Sequence, residues 1–341
     1  MKKILIINLL ITLALMTSTT KSQIATNDFY DDAETFILNG SLKIELTGEI
    51  ANPEIKDISQ LPERSLIIKE AVLSGDSNRF IGAYRYDGYS LYDILNYVIL
   101  KKKNEAEFPP IIDLYVEVTN NEGESVILSW GEIYYPVHRH EIIIATKVTR
   151  IVPSKTKDLW PLPSETRLIV GTDLITERNI SNPVKITVFS ANANYVINKG
   201  MSPLHSEMIK IFYLDNFLSE FNKTTDFSVL SKQNYETVFY GRGRGIHSTT
   251  PFHGYLLKDV LGDFFKATPD LLKNGYFIVA SVDGYRSVYT YSEIFNRNDQ
   301  AELLIVPDPE NQDGGAFRLF PAGDFFSDRA VKAVSEIRLI F

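Results

Sequence analysis

The segment Tyr240-Gly241-Arg242-Gly243-Arg244-Gly245-Ile246-His247 sets two guanidiniums among alternating glycines. Such glycines let a backbone turn its N–H groups toward an anion, and guanidiniums close on phosphate or carboxylate through paired hydrogen bonds. The chemistry indicated is anion binding, with Arg242, Arg244 and His247 as contacts and His253, just before Gly254, able to join them. A solvated turn is the other reading, since no strand–loop–helix phosphate motif frames the segment. His138-Arg139-His140, if extended, puts two imidazoles on one face, but no third metal ligand is identifiable, so no metal site is expected. Tyr84, Tyr86 and Tyr89, and Tyr285 beside Arg286, fit either a stacking pocket or cross-strand core packing. The chain has no cysteine. That removes thiolate metal ligands, Fe–S clusters, disulfides and cysteine nucleophiles, leaving oxygen and nitrogen groups to do any chemistry. With no nucleophile-elbow, zinc-protease or EF-hand pattern either, no catalytic residue is assigned.

The elements that must carry these residues recur. Gly88-Tyr89-Ser90-Leu91-Tyr92-Asp93-Ile94-Leu95 is matched by Gly254-Tyr255-Leu256-Leu257-Lys258-Asp259-Val260-Leu261. Residues 115–119, Glu122-Gly123, Glu132-Ile133 and 141–143 recur 161 positions later as 276–280, Asp283-Gly284, Glu293-Ile294 and 302–304. Arg167-Leu168 falls opposite Arg318-Leu319, and Val184-Lys185-Ile186 opposite Glu336-Ile337-Arg338 or, shifted, Val331-Lys332. Each copy reads as an opening strand (42–48 in the first), an amphipathic helix (89–98 and 256–264), a hairpin turning at Glu122-Gly123 or Asp283-Gly284, and further strands. The expected class is α+β, mixed but mainly β, duplicated in tandem.

Lys2 and Lys3 precede an apolar run over 4–16 broken only by Asn8 and Thr12, followed by a Ser/Thr-rich stretch to Ser22. This is a secretory pattern, with an uncleaved anchor as the alternative. The expected organisation is a signal peptide at 1–22, a flexible leader at 23–40, and two domains at 41–192 and 193–341. The expected location is outside the cytoplasm: bacterial periplasm, cell surface or medium. Loss of Lys2, Lys3 and Lys21 takes the formal charge from −8 to −11, the wrong sign for a nucleic-acid binder. No later stretch is long enough to span a membrane.

In the second copy, the helix motif of 254–261, Ser281-Val282-Asp283-Gly284-Tyr285, Arg318-Leu319-Phe320-Pro321 and Val331-Lys332 before a last strand occur in that order. This resembles the molybdopterin-binding domain of the sulfite oxidase family. The resemblance implies that family's fold in two divergent copies, places the Arg242 loop where the family's cofactor loop lies, and adds Arg318 and Lys332 as ligand-binding candidates. It also implies a molybdopterin pocket. The family's molybdenum-binding cysteine would fall in 71–79 or 238–245, and neither stretch has one. The expectation is therefore an exported, non-catalytic protein binding a small anionic ligand or an envelope protein partner. The alternative is a sulfite-oxidase-type oxidoreductase that holds molybdopterin without a thiolate.

Overall fold

The alternating runs of the sequence become four small sheets of four or five strands and one two-stranded ribbon in the computed structural model. It describes residues 34–153, 155–192, 194–308, 310–311 and 314–341. The expected signal segment lies outside the described residues. Strand accounts for 46% of the described residues and helix for 12%, and the sheets stand in a propeller-like ring. This overturns the α+β, sulfite-oxidase-type class. The helices are single turns of five or six residues that close sheet ends. The run expected as a helix over 89–98 supplies only Leu91–Leu95, because Tyr89 and Ser90 finish the strand Ser77–Ser90 and the Ser90 hydroxyl caps the turn by accepting from Asp93 N. Likewise 256–264 supplies only Leu257–Leu261. The long hairpin of Glu63–Ser74 with Ser77–Ser90 takes residues whose pattern gives no helix.

What does repeat is connectivity. In one sheet Lys43–Gly48 runs parallel to Pro183–Ser190, which pairs antiparallel with Leu114–Asn120 and through it with Ser125–Ser129. In a second, Met208–Tyr213 runs parallel to Val334–Ile340, which pairs with Tyr276–Ser281 and then Arg286–Thr290. The expected hairpins form, with Gly123 and Gly284 at φ +88° and +84°. The other two sheets share an order too: Glu63–Ser74, Ser77–Ser90, Ile142–Arg150 and Arg167–Val170 against Lys232–Tyr235, Phe252–Leu256, Leu303–Pro307 and Phe317–Pro321. The end of the expected leader, Thr35–Ile37, pairs with Ile142–Arg150. One alignment slips by a residue. Lys185 opposes Thr119 and Glu336 opposes Ala280, so Lys185 corresponds to Glu336, not Ile337. A bulge in each sheet hides this register from a linear comparison.

The halves meet on a buried, paired network. Arg178 donates to both oxygens of Asp173 at 2.7 and 2.9 Å and both of Glu132 at 2.9 Å, and its Nη1 reaches the Thr290 hydroxyl of the other half at 3.2 Å. Arg329 repeats the arrangement with Asp324 at 2.7 and 2.9 Å, Glu293 at 2.8 Å, and across to the Ser129 hydroxyl at 3.3 Å. Glu132 and Glu293 each also close a capping box on the short helices Trp130–Tyr134 and Tyr291–Phe295. A Cβ on Gly131 would stand 2.1 Å from Arg329 Nη1, so only glycine admits the guanidinium there.

Arg178→Met and Arg329→Met should each cost about 3–5 kcal/mol in chemical denaturation, because each strands two buried carboxylates. Burial, reinforced by Glu293 and opposed by Arg178, pushes Glu132 from 4.5 up to about 7. A raised carboxyl binds its proton more tightly folded than unfolded. Its contribution is therefore full below pH 4.5 and is lost as pH rises through about 7. Glu132→Gln should flatten the stability profile across that window.

Candidate functional site

The ribbon of Phe239–Gly241 and Gly245–Ser248 carries the Gly/Arg segment. Gly245, at φ +75°, lets it turn tightly, so Arg242, Gly243 and Arg244 form the tip of a hairpin instead of a nest of amides. The tip overhangs a cleft with two joined lobes of about 600 and 430 Å³ that share Arg242, Asp283, Tyr285 and Asp328. The larger lobe has an apolar wall of Phe108, Pro109, Pro110 and Ile112 from the first half, Ile197 from the segment joining the halves, and Tyr285. The Phe108 and Tyr285 rings meet edge to face at 5.7 Å. Charge gathers around this wall: Lys199, Arg242, Arg244 and Lys332 against Asp283 and Asp328.

Four of the six expected ligand contacts, Arg242, Arg244, His247 and Lys332, line the smaller lobe. Arg242 Nε stands 3.5 Å from Asp328 Oδ1 with half its side chain exposed. The His247 ring packs on Gly241, where an added Cβ would lie 2.2 Å from Nε2. The other two contacts are corrected. His253 is exposed on the strand Phe252–Leu256 opposite Asn234, because alternation turns it outward while neighbouring Phe252 stacks on Phe320 at 4.3 Å. Arg318 leaves the cleft for Asp308, 3.7 Å away, and its guanidinium covers Gly314.

Tyr285 does line the cleft, as an aromatic pocket requires, but Arg286 is buried beside Asp113 at 3.4 Å. Asp113 also takes the Lys102 ammonium at 2.6 Å. Tyr84 and Tyr86 are buried in the core, and Tyr84 also lines a second cavity. His140 contacts the Ser90 hydroxyl at 2.9 Å and Arg139 the Tyr92 hydroxyl at 2.9 Å, and among the described residues no three His, Asp or Glu groups are placed to hold a metal. Sequence reading missed the first-half wall at 108–112, Lys199, Ser281, Asp283 and Asp328. Proline-proline at 109–110 is the one local signal for that wall, and it marks a loop without saying which half it meets.

Three details bear on what the cleft can hold. Ser281 is buried with its Oγ lacking a hydrogen-bond partner, and Asp328 Oδ2 is likewise buried and unpaired. Tyr285 donates its hydroxyl to the Asp328 carbonyl, and burial, reinforced by the Asp328 carboxylate, holds its phenol well above the ordinary range. Tyr135, behind it, is pushed up to about 12 by burial, with Arg242 opposing, and its hydroxyl is unpartnered too. The cleft therefore sets one unpartnered hydroxyl, Ser281 Oγ, beside the cations Arg242, Arg244 and Lys332.

No protein-family model matches the chain and no curated protein matches it. The likeness to sulfite oxidases stands on the quoted motifs alone. The residues do not fit a molybdenum centre of that kind, since the sequence has no thiolate to bind the metal. No helix among the described residues is long and apolar enough to cross a membrane.

Tyr285→Phe should lower stability by about 0.5–1.5 kcal/mol through loss of the bond to the Asp328 carbonyl. Ser281→Ala should stay within about 0.5 kcal/mol of the parent, because its hydroxyl has no protein partner to lose. Urea titration of both variants checks the contrast.

Proposed function

We propose that the protein is a binding protein whose Arg242 cleft takes a small organic anion with an apolar or aromatic body. The carrying observation is the pairing, in one cavity, of four basic side chains with a wall of Phe108, two prolines, two isoleucines and Tyr285. The chain as a whole is acidic, so a local surplus of cation is a feature of this cleft and not of the surface at large. An apolar wall supplies binding energy, and a few polar groups at its edge fix orientation and sign of charge. The ligand's ring would lie along Tyr285 and the prolines, with its carboxylate or phosphate toward Arg242, Arg244 and Lys332. Ser281 Oγ is an unspent donor on that side. Export belongs to the same reading and rests on the 1–22 segment.

Calorimetry with benzoate and phenyl phosphate, set against benzyl alcohol and benzylamine, tests the idea. The anions should bind in preference, and the affinity should fall as salt is raised. Arg242→Ala with Arg244→Ala should weaken them by about 1.5–3 kcal/mol for each charged hydrogen bond lost, with little change in stability because both side chains sit at an exposed tip. Equal binding of the neutral alcohol, or no effect of the double variant, would count against this function.

A further inference from the structure

The repeat that places Tyr285, Ser327, Asp328 and Ala330 at the first cleft places Glu124, Thr176, Glu177 and Asn179 at the equivalent position in the first half. These four residues line a second, separate cavity of about 380 Å³. Its borders again come from both halves: Lys273, on the second-half helix Pro269–Asn274, pairs with Glu124 at 2.6 Å.

The side chains differ in kind from those of the first cleft. Glu70, Thr176 and Asn179 are buried polar groups in the wall. Glu70 accepts from Tyr86 and Asn179 at 3.1 and 3.2 Å, both through Oε1. Arg167 donates from Nη2 to the Asn179 carbonyl at 3.0 Å, while its buried Nε makes no hydrogen bond and stands 3.7 Å from Glu70. Glu177 is held through Oε1 by Leu73 N at 2.8 Å. Facing these groups are Pro161, Leu162, Pro163, Val72 and Ile81. Three carboxylates against Arg167 and Lys273 leave the cavity close to neutral, with donors and acceptors side by side opposite an apolar wall.

We propose that this cavity is a second binding site, for a neutral polyhydroxylated ligand of the sugar class. Hydroxyl pairs need an acceptor and a donor within reach of each other, which Glu70 and Arg167 Nε, 3.7 Å apart, supply, and the C–H face of a sugar ring packs against proline and aliphatic side chains. A buried guanidinium N–H without a partner is costly unless something occupies it, and a ligand hydroxyl would. An organic anion is disfavoured by the three carboxylates. A compact cation is disfavoured because Arg167 and Lys273 already pair with Glu70 and Glu124.

The test is saturation-transfer NMR and calorimetry on the full chain with glucose, mannose, arabinose and maltose, and with putrescine and phenyl phosphate as charged counter-probes. At least one saccharide should bind saturably. Arg167→Met should abolish that binding, and Glu177→Gln, which keeps an oxygen for Leu73 N, should weaken it about tenfold. The Arg242→Ala, Arg244→Ala double variant should leave it unchanged, which separates this site from the anion cleft. Failure of every saccharide, binding of putrescine alone, or saccharide binding that survives both Arg167→Met and Glu177→Gln would each overturn the proposal.

Discussion

Two guanidiniums, Arg178 and Arg329, lie almost wholly out of water where the two halves meet, and each is bound by two carboxylates of its own half and one hydroxyl of the other. Burying such charges is favourable only when the pairing is complete and the remaining hydrogen-bond positions are filled. Here they are filled across the seam, by Thr290 on one side and Ser129 on the other. Neither half can complete its own network alone. The same Glu132 and Glu293 that hold the arginines also cap the short helices, so helix position, seam and charge network form one cooperative unit. Stacking of Tyr115 on Tyr276 at 4.9 Å and the Lys102–Asp113–Arg286 cluster extend the contact.

Both cavities sit one residue from this unit. Asp328 precedes Arg329 and Glu177 precedes Arg178, so anchoring the arginines fixes the backbone that lines each cavity. Because each cavity borrows a wall from the opposite half, Ile112 in one case and Lys273 in the other, its shape depends on the seam being closed. A repeated scaffold thus presents one framework twice, and substitution at equivalent positions gives the two copies different chemistry: Tyr285 against Glu124 and Ala330 against Asn179. Fold similarity between the halves carries no guarantee of similar ligands.

The strands around 43–48, 114–129, 142–150, 183–190, 276–290, 303–307 and 334–340 and the two hairpin turns were legible in the sequence because alternation and a turn glycine at a fixed offset are local signals, whereas the hairpin of 63–90 and the strands between 208 and 256 were not read. The helices were overread. The 3.6-residue spacing of Leu91, Ile94, Leu95 and Val98 is real, but it covers a single turn whose start is consumed by a strand and whose end is already loop, and this moves the fold from α+β to mainly β. The anion-binding candidates divided on a similar basis. Arg242, Arg244 and His247 belong to one hairpin and travel together, whereas His253 is turned outward by strand alternation and Arg318 is drawn off by Asp308, a residue ten positions upstream that no local pattern links to it.

By itself, the amino-acid sequence determined that the chain is built twice on one pattern, that any site must work without a thiolate, and that two arginines share a glycine-rich tip. These follow from composition, spacing and turn chemistry, which need no knowledge of distant contacts. Only the tertiary structure decided that the tip faces an apolar wall from the other half, that a second cavity of different polarity occupies the equivalent place, and that Arg178 and Arg329 lock the halves together. Those outcomes rest on pairings between residues more than a hundred positions apart, whose partners are chosen by packing and burial and leave no periodic trace along the chain.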